Sequence, residues 1–459
     1  MFAKSISAAV IGIDALPVSV EVDLSQHAPY FAIVGLPDAA VRESRERVVS
    51  AISNAGYFFP QGRIIVNLAP ADVRKEGSSF DLPIAMAIME ATNFFPSGSL
   101  EDILIMGELA LDGKLKKVHG VLPSAAMAKE MGYAGIVVPS ENAKEAAITG
   151  IDVYPVDSLA ECINLFENAL GKPFVLDPED AFVGFESSLI DYSDVRGQEV
   201  VKRALTVAAA GAHNLLMLGP PGSGKTMLAR RFPTILPAMT LTEAIETTKI
   251  HSVAGILPSD TALVKERPFR NPHSSVSDAG LIGGGTIPRP GEVSLAHHGV
   301  LFLDELPEFS RNVLEVMRQP LEDGFVTISR SAMSLTFPSR FVLIGAMNPC
   351  PCGYFGDPHH VCTCNPQLIR KYLSKISGPL LDRIDIHIEV PAVKYKELSG
   401  KESGATSTMM RELVIKTRDR QLNRFKRYKN VFANAHMNSR QIREFCIIDS
   451  EAEGLLKKA

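Results

Sequence analysis

The sequence has no apolar run close to the roughly 20 residues that cross a bilayer, and its amino terminus lacks a signal-peptide pattern. It also shows no long internal repeat and no low-complexity tract. An excess of positive charge is missing as well, because 47 Lys and Arg residues face 52 Asp and Glu residues and leave a net charge of -5. These absences predict a soluble, cytoplasmic protein, and they require any contact with DNA to be local.

The length of the chain bounds its organisation. A chain of 459 residues is too long for a single hydrophobic core and predicts two or three domains. A stretch rich in proline, acidic residues and scattered aromatics ends near residue 190 and divides the chain. We expect a first domain at 1–175, a linker at 176–190, a second domain at 191–392 and a smaller helical domain at 393–459.

A glycine-rich loop directly follows the apolar run 214–218. Its glycines allow a tight turn whose backbone N–H groups point at phosphate oxygens, and the helix after it presents its positive end. Lys225 would reach the β- and γ-phosphates, and Thr226 would hold Mg2+ through its hydroxyl. A turn without nucleotide is the alternative, which the Lys-Thr pair between a strand and a helix disfavours. The predicted nucleotide site consists of Gly219, Pro220, Pro221, Gly222, Ser223, Gly224, Lys225 and Thr226.

A second motif lies about eighty residues downstream, where four apolar residues at 300–303 precede two carboxylates. The run predicts a buried strand of the Walker B type. Asp304 would position Mg2+ and its water shell, and Glu305 would orient or deprotonate the attacking water. The alternative is a purely structural role, in which the strand is followed by a helix cap. The pairing with the phosphate loop favours the catalytic interpretation.

Two further residues suit the same site. Asn348 ends a third apolar strand, 341–347, where a polar side chain would sense the γ-phosphate. Arg383 stands near the start of another predicted strand, and we interpret it as an arginine finger delivered to a neighbouring subunit's ATP. The alternative for Arg383 is a surface ion pair with Asp382 or Asp385, which would contribute little.

The phosphate loop, Asp304-Glu305, Asn348 and Arg383 together resemble an AAA+ ATPase module, whose core is a parallel sheet followed by a helical lid. More narrowly, several motifs resemble the magnesium chelatase-like branch and its ComM/YifB family. The resemblance runs through nearly the whole chain. It rests on VGLPD (34–38), NPH (271–273), GGG (283–285), PRPGE (288–292), SLAH (294–297) and NPCPCG (348–353).

The first domain alternates short strands with helical patterns, which predicts an α+β domain. Its motifs at 75–83, 107–109 and 132–139 resemble the proteolytic domain of Lon. By that resemblance Ser79 stands at the nucleophile and Leu122 at the lysine. Leucine cannot act as a base, so we expect a proteolytically inactive relative that serves in packing, assembly or DNA contact. The weaker alternative is that one of the nearby lysines, Lys114, Lys116 or Lys117, replaces the lost base.

Two segments of the motor are candidate DNA contacts. The stretch 281–291 is too rich in Gly and Pro to continue a helix, so it predicts a protruding loop that carries Arg289. The stretch 325–337 has β-rich halves around a short polar centre and predicts a hairpin with Arg330 near its tip. Similar motors grip DNA with hairpins at these places. Ordinary surface loops with solvated arginines are the alternative.

Four of the six cysteines are clustered as two C-x-C pairs, Cys350 with Cys352 and Cys362 with Cys364. Four thiolates at such spacing can close a tetrahedral Zn2+ site, and a cytosolic protein disfavours disulfides. His359 and His360 are alternative ligands. Free or redox-labile thiols are the other interpretation, because C-x-C is less typical of zinc than C-x-x-C.

The carboxy-terminal region predicts a helix over 411–429 that carries eight basic residues. It would bind the DNA backbone or form a solvated face of the lid. AAA+ lids normally continue into a helix with a second sensor arginine, and no segment of this sequence fits that role. We therefore expect either a truncated lid or a protein without that residue.

The resemblance implies a hexameric ATPase that uses ATP and Mg2+ to drive branch migration of strand-exchange intermediates during natural transformation and recombination. Single-stranded or branched DNA and further copies of the chain would be its partners. The alternative is a protein-remodelling or chelatase-type motor that works with a partner subunit. The amino-terminal domain argues against it, because we expect chelatase motor subunits to lack that extension. An ATP-dependent protease is the outlying interpretation.

Overall fold

The structure is a computed structural model that describes residues 1–168, 170–176, 190–258, 261–285, 288–330, 334–357, 360–392, 404–428 and 431–458. The predicted linker at 176–190 therefore lies mostly outside the described residues. The same holds for the start of the predicted lid at 393–403.

The first domain is built on a mixed seven-stranded sheet with the order β3-β4-β2-β1-β5-β8-β9, and β6 pairs with β7 beside it. The strands β1 to β4 combine antiparallel and parallel pairs, whereas β5, β8 and β9 are parallel. The strands are β1 (Phe2–Ile11), β2 (Asp14–Ser25), β3 (Tyr30–Val34), β4 (Arg63–Ala69), β5 (Ile103–Ile105), β6 (Glu108–Leu109), β7 (Leu115–Lys116), β8 (Gly135–Pro139) and β9 (Val153–Val156).

Helices cover both faces of this sheet. Along β8, Val137 belongs to one hydrophobic cluster, while Ile136 and Val138 belong to another, because alternate residues of a strand point to opposite faces. The helices α1, α2 and α5 contribute to the first cluster, and α3 and α4 to the second. The helices are α1 (Ala39–Asn54), α2 (Asp81–Ala91), α3 (Val121–Glu130), α4 (Ala143–Ala147) and α5 (Leu159–Glu167).

Helix α2 is the centre of the first domain, since all of its residues are buried. It begins with Asp81, a fully buried carboxylate that accepts hydrogen bonds from Arg47 Nε at 2.6 Å and Nη2 at 3.0 Å. Burial raises the pKa of Asp81, and the hydrogen bonds from Arg47 act against that rise. The buried carboxylate of Asp81 is tolerated because each of its two oxygens accepts a hydrogen bond from the Arg47 guanidinium.

The second domain is built on a parallel five-stranded sheet with the order β11-β14-β17-β10-β18. Two short hairpins, β12–β13 and β15–β16, stand apart from it. The strands are β10 (Leu215–Leu218), β11 (Phe269–Arg270), β12 (Gly283–Gly284), β13 (Arg289–Pro290), β14 (Val300–Leu303), β15 (Phe325–Ser329), β16 (Ser334–Pro338), β17 (Val342–Met347) and β18 (Ile386–Glu389).

The sheet confirms the predicted α/β architecture. The carboxyl ends of parallel strands meet at one edge, and that edge is where open α/β sheets bind ligands. Since β10, β14 and β17 are neighbours, Gly219, Asp304 and Asn348 come together there. The helices of this domain are α6 (Glu199–Gly211), α7 (Lys225–Arg231), α8 (Leu241–Ala254), α9 (Asp278–Ile282), α10 (Glu292–Leu295), α11 (Arg311–Val316), α12 (Arg318–Asp323), α13 (Pro366–Leu373) and α14 (Gly378–Leu381).

The carboxy-terminal region is helical as predicted, and it packs on the sheet domain. Its first helix begins after the cap Thr406, and its long axis lies against α6 and the turn after α7. Among the described residues, no helix of the chain combines the length and apolarity needed to cross a bilayer. The helices of this region are α15 (Ser407–Phe425), α16 (Ser439–Phe445) and α17 (Ser450–Leu456).

Helix α8 joins the first domain to the second. Ser252 of α8 donates a hydrogen bond to Glu145 Oε1 of α4 at 2.5 Å. Leu122 of α3 is fully buried in a cluster with Met239 and Leu263 from the second domain. Lys117 Nζ adds a hydrogen bond of 2.7 Å to the carbonyl oxygen of Leu257. The two domains therefore share a buried, specific interface.

Candidate nucleotide site

The phosphate loop is held tightly between β10 and α7. A Cβ atom at Gly219 would lie 2.2 Å from the carbonyl oxygen of Val390, so only glycine fits at that position. Gly224 has a φ of +87°, in the left-handed region that glycine adopts at no cost, and α7 begins at the next residue. Gln198 Nε2 fixes the loop from outside by donating to the carbonyl oxygen of Ser223 at 2.9 Å.

Lys225 is folded into this loop. Its Nζ donates to the carbonyl oxygens of Gly219 at 2.7 Å and Pro220 at 2.9 Å, and to Asn348 Oδ1 at 3.1 Å. Burial lowers the pKa of Lys225, while the charges of Asp304 and Glu305 oppose that effect. The ammonium group thus lies at the mouth of the loop, with partners that phosphate oxygens can replace. This arrangement fits a nucleotide.

Thr226 and Asp304 form the part of the site that fits Mg2+. Thr226 Oγ1 donates to Asp304 Oδ2 at 2.6 Å, which joins α7 to the end of β14. A hydroxyl and a carboxylate side by side are oxygen ligands of the kind that Mg2+ takes together with phosphates and water. The adjacent Glu305 donates its backbone N–H to Asp304 Oδ1 at 2.9 Å.

Glu305 has an unusual backbone conformation. Its φ of +51° lies in the left-handed region, which costs a residue with a Cβ about 1 kcal/mol or more. The chain turns sharply here and enters a short 3-10 turn, Leu306–Glu308. The predicted alternative, a simple helix cap, does not describe this geometry, because no side-chain cap hydrogen bond is formed at Glu305.

Asn348 has a second neighbour that the sequence did not indicate. Burial raises the pKa of Tyr372 of α13 to about 12, and the backbone N–H of Asn348 opposes that rise. Tyr372 belongs to the core beneath the site. Its only sequence signal was its place on the apolar face of a short amphipathic helix.

Arg383 lies between α14 and β18 and pairs with Glu322 of α12. Its Nε and Nη2 atoms are 3.0 Å and 2.5 Å from Glu322 Oε1. The partners considered from sequence, Asp382 and Asp385, were wrong for this ion pair, because Asp385 Oδ2 instead lies 3.0 Å from His213 Nδ1. Both side chains of the observed pair are about two-fifths exposed, so the guanidinium remains open to solvent.

The two predicted DNA loops contact each other. The hairpin β15–β16 pairs residues 325–329 with 334–338, and Arg330 follows its first strand as predicted. Arg330 Nε donates to the carbonyl oxygen of Gly285 at 3.3 Å, at the end of the hairpin β12–β13. Arg289 lies opposite Gly284 in that hairpin and is exposed. The segment predicted as one loop therefore starts as the end of α9 and continues as a hairpin.

Arg289 also faces the first domain. Burial raises the pKa of Glu76, and the charges of Arg74 and Arg289 oppose that rise. The hairpin that carries Arg289 thus lies within electrostatic reach of an acid in the first domain. That neighbourhood was not visible in the sequence.

The four clustered cysteines converge. Their Sγ atoms all lie within 4.8 Å of one another, and Cys350 is buried while the other three are half-buried. Backbone N–H groups of Tyr354 and Thr363 lower the pKa of the Cys352 thiol. The backbone N–H of Cys364 acts in the same direction on Cys362, but burial and the neighbouring sulfurs of Cys352 and Cys350 raise the pKa of Cys362 to about 12. Cys352 is therefore the more readily ionised of these two thiols. His360 lies 3.3 Å from Asp357 and stacks on Tyr354, and His359 lies outside the described residues. The donor set fits a tetrahedral site with four sulfur ligands, the geometry that Zn2+ prefers.

The first-domain serine has surroundings unlike those of a catalytic dyad. Leu122 is buried in the interface between domains, as described above. The serine with a hydrogen-bonded hydroxyl is Ser78, which donates to Glu108, and Lys116 Nζ lies 4.0 Å from the other oxygen of Glu108. Lys116 therefore faces the carboxylate that binds Ser78.

One basic residue of the predicted lid helix is half-buried against α6. Arg418, within the basic stretch 411–429, donates from Nη2 to the carbonyl oxygen of Ala209 at 2.8 Å. Burial lowers its pKa to about 10. Arg418 therefore fixes α15 to α6 and is not part of a surface for DNA.

Comparison with known proteins agrees with these observations. The family models "Subunit ChlI of Mg-chelatase", "Magnesium chelatase, subunit ChlI" and "Magnesium chelatase, subunit ChlI C-terminal" match residues 20–142, 191–398 and 404–459. The chain is 44% identical to Competence protein ComM of Haemophilus influenzae over 459 residues, which covers 99% of this chain and 88% of that protein. It is 42% identical to the protein YifB of Escherichia coli, over 96% of this chain and 86% of that protein.

A more distant relative is the magnesium-chelatase 38 kDa subunit of Rhodobacter capsulatus. It is 25% identical over 225 residues, which cover 45% of this chain and 60% of that subunit. The near full-length matches decide the classification. The chain belongs to the ComM/YifB family of magnesium chelatase-like AAA+ ATPases.

Proposed function

We propose that this chain is the subunit of a hexameric, cytoplasmic DNA motor that hydrolyses ATP to drive branch migration of strand-exchange intermediates in natural transformation and recombination. The observation that carries the motor is the convergence of Lys225, Thr226, Asp304 and Asn348 at one edge of the parallel sheet. The link to transformation rests on the relative named Competence protein ComM.

Each residue of the site has a separate role in the proposed hydrolysis of ATP. Bound Mg2+ would neutralise phosphate charge and orient the nucleotide. Lys225 binds the β- and γ-phosphates by exchanging its loop carbonyl partners for phosphate oxygens. Glu305 orients the attacking water and takes its proton, and Asn348 positions the γ-phosphate. Arg383 leaves Glu322 and stabilises transition-state charge in the neighbouring subunit's site.

The DNA contact is assigned to the two touching hairpins. Arg289 and Arg330 lie on neighbouring hairpins that are joined by the hydrogen bond from Arg330 to Gly285. Two cations on one protruding surface can contact successive phosphates of a strand. The first domain, which lacks a competent Ser79 dyad, serves in packing and assembly. Zn2+ at Cys350, Cys352, Cys362 and Cys364 completes the proposed cofactors.

A chelatase-type or protein-remodelling motor with a partner subunit is the second candidate. The names of the three matching family models favour it. The first of them covers part of the amino-terminal domain, so that domain does not separate the two candidates. The dependence of ATP turnover on DNA does separate the two candidates.

The experiment measures ATP hydrolysis by the purified chain alone, with single-stranded DNA and with a synthetic four-way junction. Lys225→Ala and Glu305→Gln are expected to abolish turnover, and Glu308→Gln, a half-exposed acid of the following turn, is the matched control. Turnover stimulated by DNA and lost in both variants supports the DNA motor. ATP turnover that does not change when DNA is added supports the second candidate instead.

A further inference from the structure

The cysteine cluster is attached at both ends to elements of the nucleotide site. Cys350 follows Asn348 and Pro349 directly after β17. Cys364 precedes Asn365, whose side chain caps α13 by accepting from Leu368 N at 2.7 Å. Helix α13 carries Tyr372, whose hydroxyl lies within electrostatic reach of the backbone N–H of Asn348. The described parts of this segment, 350–357 and 360–364, therefore adjoin the residues around Asn348 at both ends.

The same segment lies directly against the phosphate loop. Gly353 has a φ of +86°, and a Cβ atom there would be 2.5 Å from Cδ and 2.6 Å from Cγ of Pro221. Its backbone N–H donates to the carbonyl oxygen of Cys350 at 2.9 Å, which closes a turn around the first cysteine pair. The backbone of the cysteine segment thus supports Pro221 from one side, and the strand end at Val390 closes on Gly219 of the same loop.

We propose that Zn2+ bound by Cys350, Cys352, Cys362 and Cys364 braces the phosphate loop through the contact of Gly353 with Pro221, so that metal occupancy sets the affinity for nucleotide. The inference rests on the ATPase site proposed above and adds its regulation. The expected metal is a soft divalent ion, because four thiolates select zinc over magnesium.

Bound zinc would raise the affinity for nucleotide by fixing the conformation of the cysteine segment. Four thiolates drawn to about 2.3 Å from one ion cross-link the two C-x-C pairs and fix the turn that holds Gly353. Without the ion, only weak S–H···S contacts at Sγ–Sγ separations of 3.3 to 3.7 Å hold the two pairs together, so the turn is less firmly fixed. A phosphate loop with a fixed support loses less conformational entropy when it binds nucleotide. By linkage, nucleotide must strengthen zinc binding by the same factor.

The test uses the full chain, purified under reducing conditions with zinc supplied. Metal content is measured by plasma mass spectrometry, and the Kd for a fluorescent ADP analogue by anisotropy in excess Mg2+. Zinc is then removed with the zinc-selective chelator TPEN and restored. We expect about one zinc per chain and a Kd that rises about fivefold or more on removal and recovers on addition.

A pair of glycine variants tests the route of the coupling. Gly353→Ala places a methyl group against Pro221, whereas Gly356→Ala, in the same segment and with a φ of +83°, meets nothing within 4 Å. Both variants carry the same backbone strain and keep all four cysteines. We expect both to retain zinc and only Gly353→Ala to bind the ADP analogue more weakly.

The outcomes are distinguishable. A wild-type chain that takes up no zinc overturns the metal site, and an unchanged Kd after removal overturns the coupling. Equal Kd values for the two glycine variants overturn the route through Pro221. If Gly353→Ala fails to fold, as judged by circular dichroism, the coupling between zinc and nucleotide is tested by zinc removal from the wild-type chain alone. A zinc-dependent Kd in a chain that shows no ATP turnover supports this inference and counts against the proposed motor.

Discussion

The hydroxyl of Thr226 donates a hydrogen bond of 2.6 Å to the carboxylate of Asp304, and so connects the phosphate loop to the neighbouring strand end. Replacement of Thr226 by alanine removes one oxygen ligand for Mg2+. We expect kcat/KM for ATP to fall by about tenfold or more and the Mg2+ concentration for half-maximal turnover to rise. Thr226→Ser keeps the hydroxyl and should behave like the wild type. Equal loss in both variants would show that the methyl group, rather than the hydroxyl, matters.

Arg383 offers a test of action between subunits. Its pair with Glu322 is exposed and contributes under about 1 kcal/mol, so it does not prevent the guanidinium from moving to a neighbour. Arg383→Ala should lower kcat by about a thousandfold and leave the Kd for nucleotide nearly unchanged.

Mixing variants shows where Arg383 acts. Arg383→Ala chains keep their own Glu305, and Glu305→Gln chains keep their Arg383, so mixed rings should recover turnover that neither variant has alone. A mixture of Lys225→Ala with Glu305→Gln is the control, because each of its nucleotide sites lacks a residue of its own chain. Recovery absent at every mixing ratio would contradict a finger that acts between subunits.

The hairpin arginines are tested through salt dependence. Arg330→Ala and Arg289→Ala should each weaken DNA binding and reduce the slope of log K against log salt concentration by about 1, as expected for one lost phosphate contact. Fluorescence anisotropy of labelled single-stranded DNA measures both quantities. Arg45→Ala in α1, with its side chain about half exposed, is the control. A slope unchanged by either hairpin variant would remove that arginine from the DNA surface.

A fourth prediction concerns acid stability and His297. Burial lowers the pKa of His297 to about 4, against an ordinary value of 6.5, although its neighbour Glu246 acts in the opposite direction. His298, Arg340 and Glu246 are the charged or titratable groups around the ring. Because the folded chain binds fewer protons than the unfolded chain between these pH values, stability falls as pH drops from about 6.5 towards 4.

The measurement is the melting temperature at pH 7.5 and pH 5. The wild type should melt at a lower temperature at pH 5, and His297→Asn should lose part of that difference. His251, whose pKa burial also lowers, accounts for a remaining part. His387→Asn, an exposed position of β18, should keep the full difference. An identical pH effect in both variants would rule out His297 as a source.

The parts of the site that the sequence predicted are those encoded locally. The strand before Gly219, the strand before Asp304 and the strand before Asn348 each follow from a short apolar run, and adjacency in a parallel sheet then brings their ends together. The hairpin with Arg330 near its tip likewise follows from two β-rich halves around a polar centre.

The missed parts depend on packing between distant segments. Glu322 is 61 positions from Arg383, so a search among the acids next to the arginine could not find it. The contact of Gly353 with Pro221 is invisible because a glycine in a loop gives no indication of what approaches it. The contact of Arg418 with α6 was missed for a related reason, since a run of basic residues does not show which one points at α6.

Helix α8 carries the last consequence. One of its residues, Ser252, is bonded to Glu145 of the first domain, and another, Glu246, is 2.7 Å from His298 just ahead of β14. Asp304 directly follows that strand. A helix therefore links the first domain to the strand that precedes the proposed magnesium ligand. Substitutions at Glu145 are then expected to lower ATP turnover from a distance, although Glu145 lies in the first domain and outside the nucleotide site.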